Sequence, residues 1–438
     1  MTVGDSALKK ARRRILPLLV LCYFFAYLDR ANVSIGALQI NADLGFSPTT
    51  FAIGGGIFFL GFSLFEIPSN WALNKVGARI WIARIMLTWG ILATATIFIN
   101  DARSFYFIRF FLGAAEAGFF PGVVLYLSRW FPARDRTAIM AIFILGFPLS
   151  YILGSPLSGA LLDLDGVLNI RGWKWMFLCE GIPTIVLGVV CFAFLVDKPA
   201  DAKWLEPVER EWLTQMIKGE SAALSAGRSA SFVSAFLQPE VWLLGVAYVG
   251  IIMGTYGLGL WLPQIVKPFG YGNFGTGVIS AIPYVFGAPL MVIWSRHSDR
   301  QNERRWHAIL PCVLACSCLI LSSLVKNQVM SFVFLIIVAV GILASHATFW
   351  AIPTTTLTGA AAASGIAIVS SIGNVGGFAG PYLVGYVREI TGNFGLGMYF
   401  LAIGPFLSAA ILFFVTGRMS AARETILLDK STAKETHI

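Results

Sequence analysis

Residues 15–37 read ILPLLVLCYFFAYLDRANVSIGA, an almost unbroken apolar run that carries one adjacent Asp–Arg pair two-thirds of the way along. A helix rises about 1.5 Å per residue and the hydrocarbon core of a bilayer is about 30 Å thick, so roughly 20 apolar residues are needed to cross it. This run is long enough. Lys9, Lys10, Arg12, Arg13 and Arg14 lead into it, and its far end is polar with no small-residue cleavage site. It therefore reads as a retained first span, not as a cleaved signal peptide.

Outward from this run the same pattern repeats. Further runs of spanning length occur at 51–73, 80–99, 104–127, 137–161 and 174–196, and then at 240–264, 276–295, 307–325, 330–352, 361–387 and 395–416. The chain as a whole is 57% hydrophobic and 13% charged, against about 25% charged residues in soluble proteins. These runs predict an all-α membrane protein with twelve transmembrane helices in two pseudo-symmetric six-helix bundles. The expected units are an N-terminal bundle at 1–196, a cytoplasmic central loop at 197–238, a C-terminal bundle at 239–417 and a tail at 418–438. Within the loop, KPADAKWLEPVEREWLTQMIKGE (198–220) predicts a surface amphipathic helix with Trp204, Leu205, Trp212 and Leu213 on its apolar side.

Loop charge sets the orientation. Of 32 Lys and Arg, 24 fall on the side of the N-terminus, six on the opposite side and two inside helices. Cytoplasmic loops carry the excess of Lys and Arg, so both termini are expected in the cytoplasm of a bacterial inner membrane. The net charge of +9 follows from these strips and not from one basic surface, which argues against a nucleic-acid partner. The six cysteines all lie in apolar runs and read as packing residues; no metal site and no cofactor is expected. Gly270–Gly275 fits G-x-G-x-x-G but lacks the strand that motif requires, and Gly54-Gly55-Gly56 reads as a packing patch. No nucleotide-binding or hydrolase motif occurs, so enzyme activity is not expected.

Charges inside a bilayer cost about 2.5–3.5 kcal/mol each on insertion scales, so those that occur are functional candidates. Asp29 and Arg30 are adjacent and point about 100° apart around the first helix. Arg109 and Glu116 are seven residues apart and share one face of the fourth helix, where Pro121-Gly122 invites a bend. Two guanidiniums suit a carboxylate anion, which Arg binds with a two-pronged donor set. Two buried carboxyl groups can exchange their charge for a proton. Glu66 and Glu180 read as interfacial structural carboxylates, and His346 as a hydrogen-bonded residue of the bundle. The turns Asn74-Lys75-Val76-Gly77-Ala78-Arg79 and Ser298-Asp299-Arg300-Gln301-Asn302-Glu303-Arg304 repeat a basic, polar pattern at the same point of each half, as in transporters built from duplicated bundles.

YLDRANVSIGALQINADLG, FEIPSNWALNKVGARIWIARIMLTWG and RFFLGAAEAGFFPGVVLYLSRWFPARDR resemble the anion:cation symporter family of the major facilitator superfamily, most densely over 23–212. The branch that bears the strongest resemblance holds bacterial permeases for tartrate, phthalate and 4-hydroxyphenylacetate. The resemblance implies alternating access by a monomer, with a small organic carboxylate and a proton as its partners. It implies substrate contact at Tyr27, Arg30 and Arg109 and, more loosely, at Asn374, and proton coupling at Asp29 and Glu116. The repeated turns then supply gating residues: Asn74, Lys75 and Arg79 in one half, Asp299, Arg300 and Arg304 in the other. Asn74 stands where the family usually has Asp. Phe62 and Phe147 stand where sugar-acid members carry polar residues, which predicts a less hydroxylated substrate, such as an aromatic acid. Exchange or export on the same fold, and ligand reception without transport, are the alternatives these residues leave open.

Overall fold

A computed structural model describes residues 2–225, 236–356 and 361–417, with side chains at all of these except 74, 137, 221–225, 354–356 and 361–364. Among the described residues, twelve helical spans are long and apolar enough to cross a membrane. In chain order they are span 1 (Val3–Leu44), span 2 (Pro48–Leu73), span 3 (Ala78–Phe98), span 4 (Ala102–Ser128), span 5 (Ala133–Leu162) and span 6 (Gly172–Phe194). Span 7 (Pro239–Phe269), span 8 (Asn273–Gln301), span 9 (Arg305–Leu324), span 10 (Gln328–Pro353), span 11 (Gly365–Thr391) and span 12 (Phe394–Gly417) follow. Each expected run corresponds to one of them, with ends that differ by a few residues. The expected tail lies outside the described residues, as does 226–235 of the central loop.

Span 1 begins twelve residues earlier than its apolar run, because the basic segment is itself helical. A capping box starts it: the Thr2 hydroxyl accepts from the Asp5 amide while Asp5 accepts from the Thr2 amide. The helix Pro207–Ser225 then covers this extension. Glu209 accepts from the Ser6 hydroxyl (2.7 Å) and the Lys10 ammonium (2.9 Å), and these donors hold its carboxyl below the usual range. Leu205 and Leu213 are buried and Trp204 stacks on Trp130 at 5.4 Å. The amphipathic helix is thus shorter than its stretch: Trp204 and Leu205 lie in the turn before Pro207, and Trp212 and Leu213 form the part of the apolar face that the helix itself carries, against the first half of the protein.

Backbone contact between spans 2 and 4 depends on glycine. A Cβ on Gly61 would stand 2.2 Å from the Phe110 carbonyl oxygen, and one on Gly113 would stand 1.9 Å from that of Phe58. Small residues let membrane helices approach this closely. Gly113→Ala should therefore force the helices apart at a cost of about 1–3 kcal/mol, the usual range for overpacking, read as a lower melting temperature in detergent. Unchanged melting would show that the contact relaxes freely.

Span 4 bends, but not at Pro121. Its first helix ends at Glu116, Gly118 takes a left-handed φ of 87°, and a second helix starts at Phe119. Pro121 falls in the first turn of that second helix, where its missing N–H is not needed. Glu116 is consequently the last helical residue before a break, and Ala117 frees its carbonyl for the Ser69 hydroxyl at 2.6 Å.

The halves meet at the end away from the termini. Spans 5 and 8 touch at backbone distance there: a Cβ on Gly277 would lie 2.2 Å from the Ser155 carbonyl oxygen, and one on Gly159 2.5 Å from that of Asn273. Asp163 accepts from the Asn273 side chain at 2.9 Å, and Glu389 of span 11 accepts from Ser47 and Thr49 at 2.8 Å each. The Tyr151 and Tyr284 rings stack at 4.1 Å nearer mid-span. Toward the terminal end, the two basic turns instead close on their own halves. Arg79 donates from its backbone to Asp197 and from Nε to the Phe192 carbonyl, and Arg304 pairs with Asp299. Lys75 lies 3.8 Å above the Trp71 ring and Arg300 is exposed. The Asn74 side chain lies outside the described residues. With the halves joined at the far end and, among the described residues, the two basic turns closed on their own halves, the bundles have the arrangement of a carrier that opens toward the termini.

Candidate functional site

The chain brings a stripe of aromatic and charged residues from each of several spans to one cavity between the halves, enclosing about 770 Å³ including its open mouth. Span 1 contributes Tyr23, Tyr27 and Arg30, and span 2 contributes Phe59, Phe62 and Glu66. Glu116 enters from span 4. The second half answers with Tyr248 and Tyr256 (span 7), His346 and Trp350 (span 10) and Ser370 and Asn374 (span 11). Residues three, four and seven apart share a helix face, which is why each span offers its polar groups in such stripes.

Arg30 is the centre of the site. One of its terminal nitrogens donates to Glu116 and the other to the Tyr256 hydroxyl at 2.8 Å, so it ties the two halves together. Its guanidinium also lies 4.7 Å from the Tyr27 ring centre, 5.2 Å from Phe58 and 5.4 Å from Phe62. Ring faces are electron-rich and stabilise a desolvated cation. Glu116 is 1% exposed. Among the described residues, its second carboxylate oxygen and the Arg30 Nε have no hydrogen-bond partner. A buried pair of this kind is costly to break by removing one partner, since the other charge is then stranded.

The remaining sequence candidates separate into those on the cavity and those behind it. Phe62 and Asn374 line it. Asp29 does not: it is 3% exposed, and it accepts from the Trp89 indole and from the Asn32 side chain at 3.1 Å. Its 100° offset from Arg30 turns it into the first bundle. Arg109, also 3% exposed, lies behind Phe58, 5.0 Å from that ring, with Nε donating to the Gly54 carbonyl at 3.4 Å. It sits on the closed side of the cavity. Phe147 packs on the Tyr27 ring at 4.4 Å and does not reach the cavity in this conformation. Glu66 and Glu180 both depart from their expected interfacial placement. Glu66 faces the cavity and accepts from Ser371 of the other half at 3.2 Å. Glu180 is 1% exposed inside the first bundle. His346 makes its expected bond, to the Tyr248 hydroxyl at 3.0 Å, and also lines the cavity.

Sequence reasoning missed Tyr23, Tyr248, Tyr256 and Ser370. A signal was present for the tyrosines: Tyr23, Tyr27 and Arg30 are spaced i, i+4, i+7, and Tyr248, Ile252 and Tyr256 are spaced i, i+4, i+8. Of the two phenylalanines from which an aromatic substrate is read, Phe62 lines the cavity, beside Phe59, Phe119, Phe120 and Trp350, and Phe147 does not.

Comparison with known proteins agrees with this architecture. The family description "Major Facilitator Superfamily" matches residues 19–381. A protein of Agrobacterium vitis named "Putative tartrate transporter" is 49% identical, with 94% of this chain and 92% of that protein covered. A "Quinolone resistance transporter" of Acinetobacter baumannii is 39% identical over 98% of this chain and all of its own length. Among solved structures, a bacterial homolog to the human lysosomal transporter Spinster, inward-facing and occupied, superposes with a TM-score of 0.76 at 15% identity, covering 92% of this chain and 97% of that one. The relatives and the fold are those of transporters and not of enzymes. With twelve spans, two bundles and a central cavity, the chain belongs to the Major Facilitator Superfamily.

Proposed function

We propose that this protein imports a small organic carboxylate together with a proton by alternating access, across a bacterial inner membrane with both termini in the cytoplasm. The observation that carries the reading is the Arg30–Glu116 pair on the cavity wall. A substrate carboxylate needs the donors that Glu116 now occupies. A proton on Glu116 removes its claim on Arg30, so anion and proton bind favourably together where either alone strands a charge. Tyr256, the second partner of Arg30, lets the occupied site pull the halves together.

The orientation follows from loop charge, and it makes the present conformation open to the cytoplasm. Arg109, on the closed side, then meets the substrate in the outward-open form. Arg109→Lys should lower uptake severely, since Lys lacks the two-pronged donor set; wild-type uptake kinetics would remove Arg109 from the path. The gate at the cytoplasmic end is formed by the turns carrying Lys75, Arg79, Asp299, Arg300 and Arg304 when the bundles rock the other way.

Relatives named for tartrate favour a hydroxylated dicarboxylate over an aromatic acid. Uptake into proteoliposomes tests this with tartrate, phthalate, 4-hydroxyphenylacetate and galactonate. Tartrate should accumulate under an inwardly directed proton gradient. Uptake only into vesicles preloaded with anion would establish exchange instead. Export in exchange for protons is the second reading, favoured by a relative named for quinolone resistance, and it predicts that the same inward proton gradient drives preloaded substrate out of the vesicles. Gly277→Val should wedge spans 5 and 8 apart at the closed end and raise thiol labelling of a cysteine placed at Ser280; unchanged labelling would mean that this crossing does not hold the outer gate shut.

A further inference from the structure

Asp29 and Glu180 are two buried carboxyl groups that share one donor. The Asn32 amide nitrogen gives one hydrogen to Asp29 at 3.1 Å and the other to Glu180 at 2.8 Å, which places the two acids within about 6 Å of each other. Neither makes an ion pair among the described residues. Span 3 offers the Trp89 indole to Asp29, and span 5 offers the Ser158 hydroxyl to Glu180 at 2.7 Å. The other charged groups facing them are Arg109 and Glu116 of span 4, on the Asp29 side. Two ionised carboxylates held this close in an apolar bundle repel each other and lose their hydration, and a shared proton removes both penalties.

The partners also say where that proton rests. Both Asp29 oxygens accept, one from the Trp89 indole N–H, which cannot reverse, and one from the Asn32 amide, whose NH2 serves both acids and would set its oxygen against the remaining carboxylate if it turned over. Ser158 can reverse: its hydroxyl donates to a carboxylate and accepts from a carboxylic acid. The Ser158 hydroxyl on Glu180 can therefore turn round when a proton arrives without disturbing the other acid.

We propose that Asp29 and Glu180 form a second proton-binding site, remote from the substrate cavity, which holds one proton at rest on the Glu180 oxygen facing Ser158. The proton leaves as H⁺ from a carboxylic acid and returns to the carboxylate, with no other bond changed. This inference rests on the proton-coupled reading of Asp29 and adds Glu180 to it as a group that changes charge during the cycle. Glu180→Gln keeps the shape, since the new amide can accept from Asn32 and donate to Ser158, but it cannot lose a proton.

The test compares gradient-driven accumulation with equilibrium exchange of labelled tartrate in proteoliposomes for wild type, Asp29→Asn and Glu180→Gln. Both variants should lose accumulation and retain exchange. Wild-type accumulation and pH profile in Glu180→Gln would overturn the proposal, and so would a parallel loss of both modes in folded protein, which marks a structural role. Loss in Asp29→Asn alone overturns only the paired site; accumulation retained in Asp29→Asn overturns the wider reading. If Glu180→Gln does not fold, Ser158→Ala removes the reversible partner and should move the pH midpoint of accumulation while leaving saturated exchange unchanged. An unmoved midpoint would overturn the proposal.

Discussion

Arg30→Lys should abolish carboxylate uptake although the charge is kept. Arg30 serves Glu116 and Tyr256 at the same time, with its flat guanidinium lying among the rings of Tyr27, Phe58, Phe59 and Phe62. A planar fork reaches both partners and still presents a face to a ring; a Lys ammonium is a compact point charge on a flexible stem and cannot do all three. Losing one charge-assisted hydrogen bond of this set costs about 1.5–3 kcal/mol, which corresponds to a fall of about one to two orders of magnitude in initial uptake rate. The variant should remain folded, because the pair holds a site and not the core. Uptake within a few-fold of wild type would show that the anion does not use Arg30.

Glu116→Gln should separate binding from coupling. The amide is a permanent stand-in for protonated Glu116, so Arg30 is released to substrate at every pH. Carboxylate binding should therefore persist into alkaline solution where wild type loses it. Exchange should continue, while gradient-driven accumulation disappears because no proton can be carried at this position. Glu116 is well placed for such a role, since it ends a helix at the Gly118 break with one oxygen on Arg30 and the other unpartnered. Binding that keeps its wild-type pH dependence in this variant would place the coupling proton elsewhere.

How much of this was legible in the sequence depended on what each residue contacts. Spans were legible because crossing a bilayer demands an apolar length, and each run supplies it without help from its neighbours. Arg30 and Glu116 were legible because a charge in such a run is too costly to keep without a role. The break in span 4 was misplaced from Gly118 to Pro121, since proline in a first turn looks the same in sequence as proline that kinks a helix. Tyr248 and Tyr256 show in the sequence only that they share a helix face, which does not suffice: a tyrosine in an apolar helix costs little to bury, so only partners on other spans reveal whether that face lines a cavity. Glu180 was read as interfacial from its distance to the end of its run. Its partners, Asn32 and Ser158, lie 148 and 22 residues away, and nothing local points to them.

Proton uptake on substrate binding tests the central claim most directly. Purified protein in weakly buffered detergent, with a pH indicator, is mixed with the carboxylate that the uptake panel identifies. If anion and proton bind together through Arg30 and Glu116, the solution becomes more alkaline as the anion binds, and the change is lost in Glu116→Gln although the anion still binds. Anion binding without proton uptake in the wild type, or equal uptake in the Gln variant, would contradict the account.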